Sequence, residues 1–356
     1  MQTECREYKY TQYSYIILLV IEFYNKKDTD MNLFFKKLFG VLASTEKMEA
    51  RDQQLFAELI NYKKFEGSAE YEEYKRLYPI INSYAFREKK KRLSPEEYQA
   101  TPEYQQEARF NEIASSEDCK FFLNTDFKKF KRIEGLVVYK KDTFNYQSLD
   151  QSKWKAGFYY NKPNAVSIHS RYEEQQANMG GKNITVGGGL SIHTKYQSAT
   201  AMAWADGKGF VEKNFQFTSD TLHGHDMIDG EYCGIRVKMR CRGNVSHAFW
   251  LSSGEQIPHI NVALIKGKKI EVGVYDARGD YYYTTVKGIN PADYYIYSIY
   301  QKDGYLIWKI NNIEVYRTRN VIAERRFFPA FSSFIYKSQK NPSEGSLDIA
   351  WVEIYR

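Results

Sequence analysis

No stretch of the 356-residue chain approaches the roughly 20 consecutive apolar residues that a membrane-spanning helix needs. The nearest, Tyr15 to Phe23, has nine residues and already contains Glu22. It also lacks the basic n-region and the small-residue cleavage site of a secretory leader. The sequence therefore predicts no membrane span and no signal-peptide export, and a cytoplasmic or particle-associated protein. Cysteine is scarce. Cys5, Cys119, Cys233 and Cys241 are too few for a disulfide scaffold, and no CxxC or Cys/His cluster has zinc spacing. Cys233 and Cys241, eight apart on one predicted strand, stand about 27 Å apart at the rise of an extended chain, far beyond disulfide reach. Six histidines are no excess either.

Glycine is nearly absent from the first third of the chain and marks a boundary. Only Gly40 and Gly67 precede residue 135, whereas the other 20 of 22 glycines and all five tryptophans (154, 204, 250, 308, 351) lie from there on. The first part reads as helix, with long Glu/Lys/Tyr/Leu stretches and punctuated starts. Ser94-Pro95-Glu96-Glu97 is a capping box with proline at the first helical position, and Thr101-Pro102-Glu103 repeats the device. Beyond 135, short alternating runs broken by Gly, Asn and Asp read as strands. The fold class is α+β multidomain: an N-terminal all-α helical module over 31–135, then an all-β jelly-roll sandwich over 136–356. Residues 1–30 are either an ordered extension or lie upstream of a true start at Met31.

The helical module carries an internal repeat. Glu70-Tyr71, Arg76-Leu77, Ile80 and Ser83 recur 33 residues later as Glu103-Tyr104, Arg109-Phe110, Ile113 and Ser116. That period fits a solenoid-like stack or a short helical bundle, and either serves as a spacer, a docking surface or a means of self-assembly. Charge divides unevenly: residues 1–135 hold 23 basic and 23 acidic side chains, so the whole +7 sits on the β part. The basic residues there are scattered, without an arm or an aromatic-interleaved motif, which does not support nucleic-acid binding. Lys89 to Arg92 reads as a solvated helix end.

Five runs in the β part, taken in order, resemble glycoside hydrolase family 16, the laminarinase-like jelly-roll enzymes. They are Asp142-Thr143-Phe144-Asn145 with Leu149 to Trp154; Asn183 to Val186 with Gly189 to Ile192; Ile235 to Lys238 with His247 to Leu251; Asp293 to Val315; and Trp351 to Tyr355. The resemblance covers about 139–356 and implies a sandwich that binds polysaccharide. It also implies two carboxylates in an E-x-D-x-x-E or E-x-D-x-E strand, because a retaining glycosidase needs a nucleophile and an acid/base about 5–5.5 Å apart. Here that strand reads Pro258-His259-Ile260-Asn261-Val262-Ala263-Leu264. His259 stands at the nucleophile position, Asn261 at the central acid, and Ala263 or Leu264 at the acid/base. No carboxylate is left, and leucine or alanine cannot protonate a glycosidic oxygen. Gln301, Gly234 and Ala350 also depart from the family pattern and put its structural calcium in doubt.

The expected function is a catalytically degenerate, carbohydrate-binding relative without metal or other cofactor. Trp250 and Trp204 fall where family members place cleft aromatics, and His259, Asn261 and His247 are further candidate ligand contacts, although Trp250 also suits a core. Arg236, Lys238, Arg240 and Arg242 alternate with Ile235, Val237, Met239 and Cys241, making either a solvated outer face or a stripe for an anionic polymer. Two rivals stand beside this reading. One is an active hydrolase on a β-glucan or galactan that has relocated its acids to Glu255, Glu271 or Asp276. The other is a structural or assembly protein, such as a virion or particle component, using the sandwich as a contact unit. His223, His225, Asp226, His247 and His259 form a candidate metal-ligand set, a reading that turn histidines in a Gly-rich stretch do not require.

Overall fold

The structure is a computed structural model that describes residues 33, 36, 41–131, 133, 138–158, 166–226, 228, 234–322 and 326–355. Residues 1–30, Met31 and Cys233 lie outside these. The chain divides into two compact units: 46–135, and the residues up to Thr45 together with 136 onward.

Ahead of the strands, the described residues include the helices α1 (Thr45–Glu66), α2 (Ala69–Ile81), α3 (Tyr84–Arg92), α4 (Pro95–Gln99), α5 (Pro102–Ser115) and α6 (Glu117–Asn124). Their starts are fixed by side chains that accept from otherwise orphaned backbone N–H groups. Ser68 accepts from Tyr71 N, Ser83 from Phe86 N, Thr101 from Tyr104 N and Ser116 from Cys119 N. Ser68 and Thr101, like Ser83 and Ser116, are 33 apart, so the sequence period is the period of the helix caps. Ser94 and Glu97 form the capping box read from the sequence. The helices share a core of Phe65, Ile113, Cys119 and Phe122, with Tyr62, Tyr71 and Tyr74 against it. Tyr74 stacks on Phe110 at 5.3 Å, and Arg109 Nε meets Glu73 at 2.9 Å, tying α2 to α5. One shared core makes this a short bundle, the second of the two arrangements that the repeat allowed. At the end of α3, Lys89 and Lys90 pair with Glu103 and Glu107 of α5.

The module begins later than the sequence reading placed it. Leu33 and Leu42, ahead of α1, are buried in the sandwich core.

Among the described residues, eighteen strands, numbered along the chain, build two sheets. One has seven strands in the order β13 (Tyr281–Val286), β12 (Lys269–Tyr275), β11 (His259–Lys266), β10 (Ser246–Ser252), β17 (Phe328–Phe334), β8 (Thr221–Gly224), β2 (Trp154–Ala156). The larger sheet runs β16 (Ile313–Arg319), β15 (Tyr305–Ile310), β14 (Tyr295–Lys302), β9 (Gly234–Arg242), β18 (Gly345–Tyr355), β6 (Leu190–Ala205), β7 (Gly209–Ser219), β4 (Gln176–Asn178). Here β1 (Val138–Asp142) pairs with β18, while β3 (Ser170–Arg171) and β5 (Ile184–Val186) pair with β6. Period-two alternation makes the sandwich close: Phe249, Leu251, Ile260 and Ile265 from one sheet meet Ile235, Val237, Ile299 and Trp308 from the other in one apolar cluster.

A β-bulge interrupts β11. Asn261 pairs with Gly273 and Leu264 with Glu271, three residues on β11 against two on β12, and the ladder to β10 also shifts beside it. Trp308 Nε1 donates across the core to the Asn261 carbonyl at 3.0 Å. Trp308→Phe keeps an aromatic ring and removes the donor to the buried carbonyl. It is expected to lower the unfolding free energy by about 1–3 kcal/mol in a denaturant titration, whereas a loss under a few tenths would show that the bond is not needed to hold the bulge.

Candidate functional site

The bulge decides which residues of β11 look outward. His259, Asn261, Leu264 and Lys266 line a groove of about 1250 Å³ over the seven-stranded sheet, while Ile260, Val262, Ala263 and Ile265 point into the core. Of the two candidates for the acid/base position, Leu264 is therefore the one on the groove face. Ala263 is buried.

Cross-strand register places the neighbours. Trp250 lies beside Asn261 on one side and Ala330 on the other, and Ala330 pairs with His223. His259 lies between Ser252 and Tyr275, and Tyr275 pairs with Tyr281. The result is an aromatic row across the strands. Ring centroids run His223 to Trp250 at 5.4 Å, Trp250 to His259 at 6.0 Å, His259 to Tyr275 at 4.7 Å, Tyr275 to Tyr281 at 3.9 Å and Tyr281 to Tyr283 at 4.5 Å.

The tyrosines stack nearly parallel, at 7° and 8°, so Tyr281 has both faces covered and presents only its edge. Gly273 makes room for this stack, since a Cβ there would come within 2.5 Å of Tyr283 Cβ and of the Tyr282 carbonyl oxygen. Trp250 is turned the other way, at 81° to His223 and 78° to His259. Its neighbours Ala248, Ala330 and Ser332 are small, and its Nε1 donates to Ser332 Oγ at 3.0 Å. The half-buried indole is thus held by its polar edge while lining the groove. Trp204, at the tip of the β6–β7 hairpin, lines the same groove and meets Phe210 at 5.0 Å.

Beside the tyrosines runs a polar chain. Asn261 Nδ2 donates to Tyr281 Oη at 3.2 Å, and Tyr281 Oη donates to Glu271 Oε1 at 3.0 Å. Lys266 and Lys269 stand 3.8 and 3.7 Å from Glu271. Burial, reinforced by the Glu271 charge against the relief given by Asn261, holds the Tyr281 phenol well above its ordinary pKa. Glu271, one of the three acids named for a relocated pair, lies buried on the groove floor opposite Leu264. Its alternation with Ile270, Val272 and Val274 carried that signal. The other proposed replacements do not join it: Glu255 is exposed at the rim, and Asp276 is tied into a turn by Arg278 N and Asp280 N.

Two expectations are corrected. His247 does not reach the groove. It is buried on the core side of β10, with Nδ1 at 2.9 Å from Ser333 Oγ and Nε2 at 3.0 Å from the Arg242 carbonyl. The β9 stripe is not an anion site: it lies on the other sheet, and β18 supplies its counter-charges. Arg236 pairs with Glu353 at 3.0 Å, Arg240 with Asp348 at 2.9 Å, and Arg242 approaches Asp348 at 4.0 Å, while Lys238 lies over the Tyr294 ring. The groove is not cationic either: among the described residues its lining has Arg171, Lys208 and Lys266 against five acidic side chains.

No group of three or more His, Cys, Asp or Glu is placed to hold a metal ion among the described residues. His223 Nδ1 bonds the Gly157 carbonyl at 2.7 Å, the His225 backbone N–H donates to the Lys153 carbonyl at 2.8 Å, Asp226 pairs with Lys140, and His259 Nδ1 bonds the Gln256 carbonyl at 3.0 Å. Cys119 and Cys241 are buried free thiols. No helix among the described residues is long and apolar enough to cross a membrane.

No family model matches the sequence, and no curated protein matches it. Solved structures do match the fold. Among them are SCLam, a non-specific endo-β-1,3(4)-glucanase from family 16 (TM-score 0.52, 16% identity), and the laminarinase from Rhodothermus marinus (TM-score 0.50, 16% identity). A third comes from work on endo-acting O-glycanases that initiate mucin breakdown, expressed by human gut microbiota (TM-score 0.50, 15% identity). Each match covers 62% of this chain, and 91%, 97% and 91% of the respective structures. The β sandwich thus has the jelly-roll fold of family 16 glucanases. Identity this low speaks for the fold and leaves the reaction to the residues.

The buried histidines set a pH dependence. Burial pushes His223 and His247 down to about 4, so the folded protein keeps them neutral. An unfolded chain takes up those protons near pH 6.5. Their contribution is therefore complete above pH 6.5 and is lost as the pH falls towards 4, by up to about 3 kcal/mol for each residue. Urea midpoints measured between pH 7.5 and 4.5 should fall, and His247→Gln should flatten the decline.

Proposed function

We propose that the β unit is a non-hydrolytic binding module for a neutral polysaccharide. The observation that carries this reading is Trp250 in the groove, at steep angles to His223 and His259 and beside a strand with Leu264 where an acid/base would stand. Aromatic faces take up the C–H faces of sugars, and the amide, imidazole and hydroxyl groups around them address hydroxyls. Leu264 keeps an unpaired charge out of that part of the floor, which favours retention of a neutral ligand. The lining, more acidic than basic, argues against a sulfated or uronic chain.

Relocated hydrolysis has one observation in its favour, the position of Glu271. Glu271 is engaged by Tyr281 and flanked by two lysines, and a carboxylate held in that way does not by itself make a nucleophile and acid pair. The helical unit, with Ile60, Tyr78 and Tyr84 exposed, is proposed to be a spacer or a docking surface.

Calorimetric titration with neutral β-glucan and galactan hexasaccharides, beside their sulfated forms, tests the reading. Binding of a neutral oligosaccharide is expected, and Trp250→Ala should weaken it by about tenfold or more, roughly 1.4 kcal/mol. Binding that survives Trp250→Ala, or a preference for the sulfated forms, would remove the basis for it. Failure of every glycan to bind would favour a protein-contact role for the sandwich.

A further inference from the structure

The polar chain beside the tyrosine stack has a direction that chemistry imposes. Glu271, flanked by Lys266 and Lys269, is a carboxylate and can only accept. The Tyr281 hydroxyl has one proton, which it gives to Glu271 Oε1 at 3.0 Å. Its oxygen can then only accept from Asn261, so the atom of the Asn261 amide 3.2 Å away must be Nδ2. That settles the other end of the amide. Asn261 Oδ1 has no donor among the described residues, and Asn261 lines the groove directly beside Trp250 in the strand register. Tyr281 cannot turn away to release it, because its ring is held between Tyr275 and Tyr283.

We propose that Tyr281 and Glu271 are positioning residues that lock the Asn261 amide with its oxygen towards the groove, making Asn261 an acceptor that selects a glycan with a free hydroxyl beside Trp250. This rests on the reading of the groove as a glycan site. A sulfate or methyl ether at that hydroxyl offers no proton, and sets oxygen against oxygen. The locked amide is thus a specificity device: it rejects substitution at one position of the sugar. If the lock is removed the amide can turn and present Nδ2, which accommodates either form.

The test uses the full chain and whichever neutral hexasaccharide of the panel binds most tightly, together with its sulfated form. Asn261→Ala should weaken binding of the neutral sugar by about fivefold. Tyr281→Phe, which preserves the stack, should narrow the preference for the neutral over the sulfated form by about the same factor. The double variant should be no worse than Asn261→Ala alone, since Tyr281 acts only through the amide. Glu271→Gln, whose side chain can also donate, should narrow the preference as Tyr281→Phe does. Thermal melts exclude loss of fold, and a merely structural tyrosine would change them without changing selectivity. If Trp250→Ala abolishes binding while Asn261→Ala and Tyr281→Phe leave affinity and selectivity intact, the lock is refuted and the glycan site stands. If no member of the panel binds, both fall together.

Discussion

One hydrogen bond inside the sandwich governs what its surface can do. Trp308 reaches from the larger sheet to the Asn261 carbonyl, at the point where β11 holds one residue more than its neighbours. Because side chains alternate along a strand, one extra residue changes which of them face outward. With the bulge where it is, Leu264 and Lys266 line the groove, and Val262 and Ala263 fill the core. Register then brings Glu271 opposite Leu264 and Tyr275 opposite His259, so the floor of the groove follows from a core contact.

Charge is distributed so that the two sheets have different tasks. On the larger sheet, Arg236 and Arg240 are neutralised by Glu353 and Asp348 of β18, and the arginines also lie over Trp351 and Tyr294. Burial by itself would raise the Glu353 carboxyl; the Arg236 charge and the bond from Lys141 outweigh it and hold the group below the usual range. These pairs are internal partners for a strand that would otherwise present isolated cations. On the groove side, three basic and five acidic side chains line the walls around the aromatic row.

Much of this was legible in the sequence, and the limits were physical. The helix caps could be read because a cap is local: Ser94 with Glu97, and the 33-residue spacing of Ser83 and Ser116, involve only nearby backbone. The sandwich was legible because alternation in β9 is a local pattern with one buried side. The fate of the charged side was not, since Glu353 and Asp348 lie more than a hundred residues further along. His247 looked like a groove residue because it precedes Phe249-Trp250, and only the register of β10 shows it on the core face. The choice between Ala263 and Leu264 needed the bulge. Glu271 was legible only as an acid on its own strand, and the pairing of β12 with β13 is what brings Tyr281 to it.

We propose that the groove over β11 binds a glycan without cutting it, because His259, Asn261 and Leu264 bring no carboxylate to it. Reducing-end release from a neutral β-glucan, by the natural protein and by a His259→Glu, Asn261→Asp, Leu264→Glu triple variant, addresses it most directly. No release by the natural protein and measurable release by the variant is the outcome expected. Release by the natural protein, at a rate that His259→Ala leaves unchanged, would contradict the claim and place the chemistry on other residues.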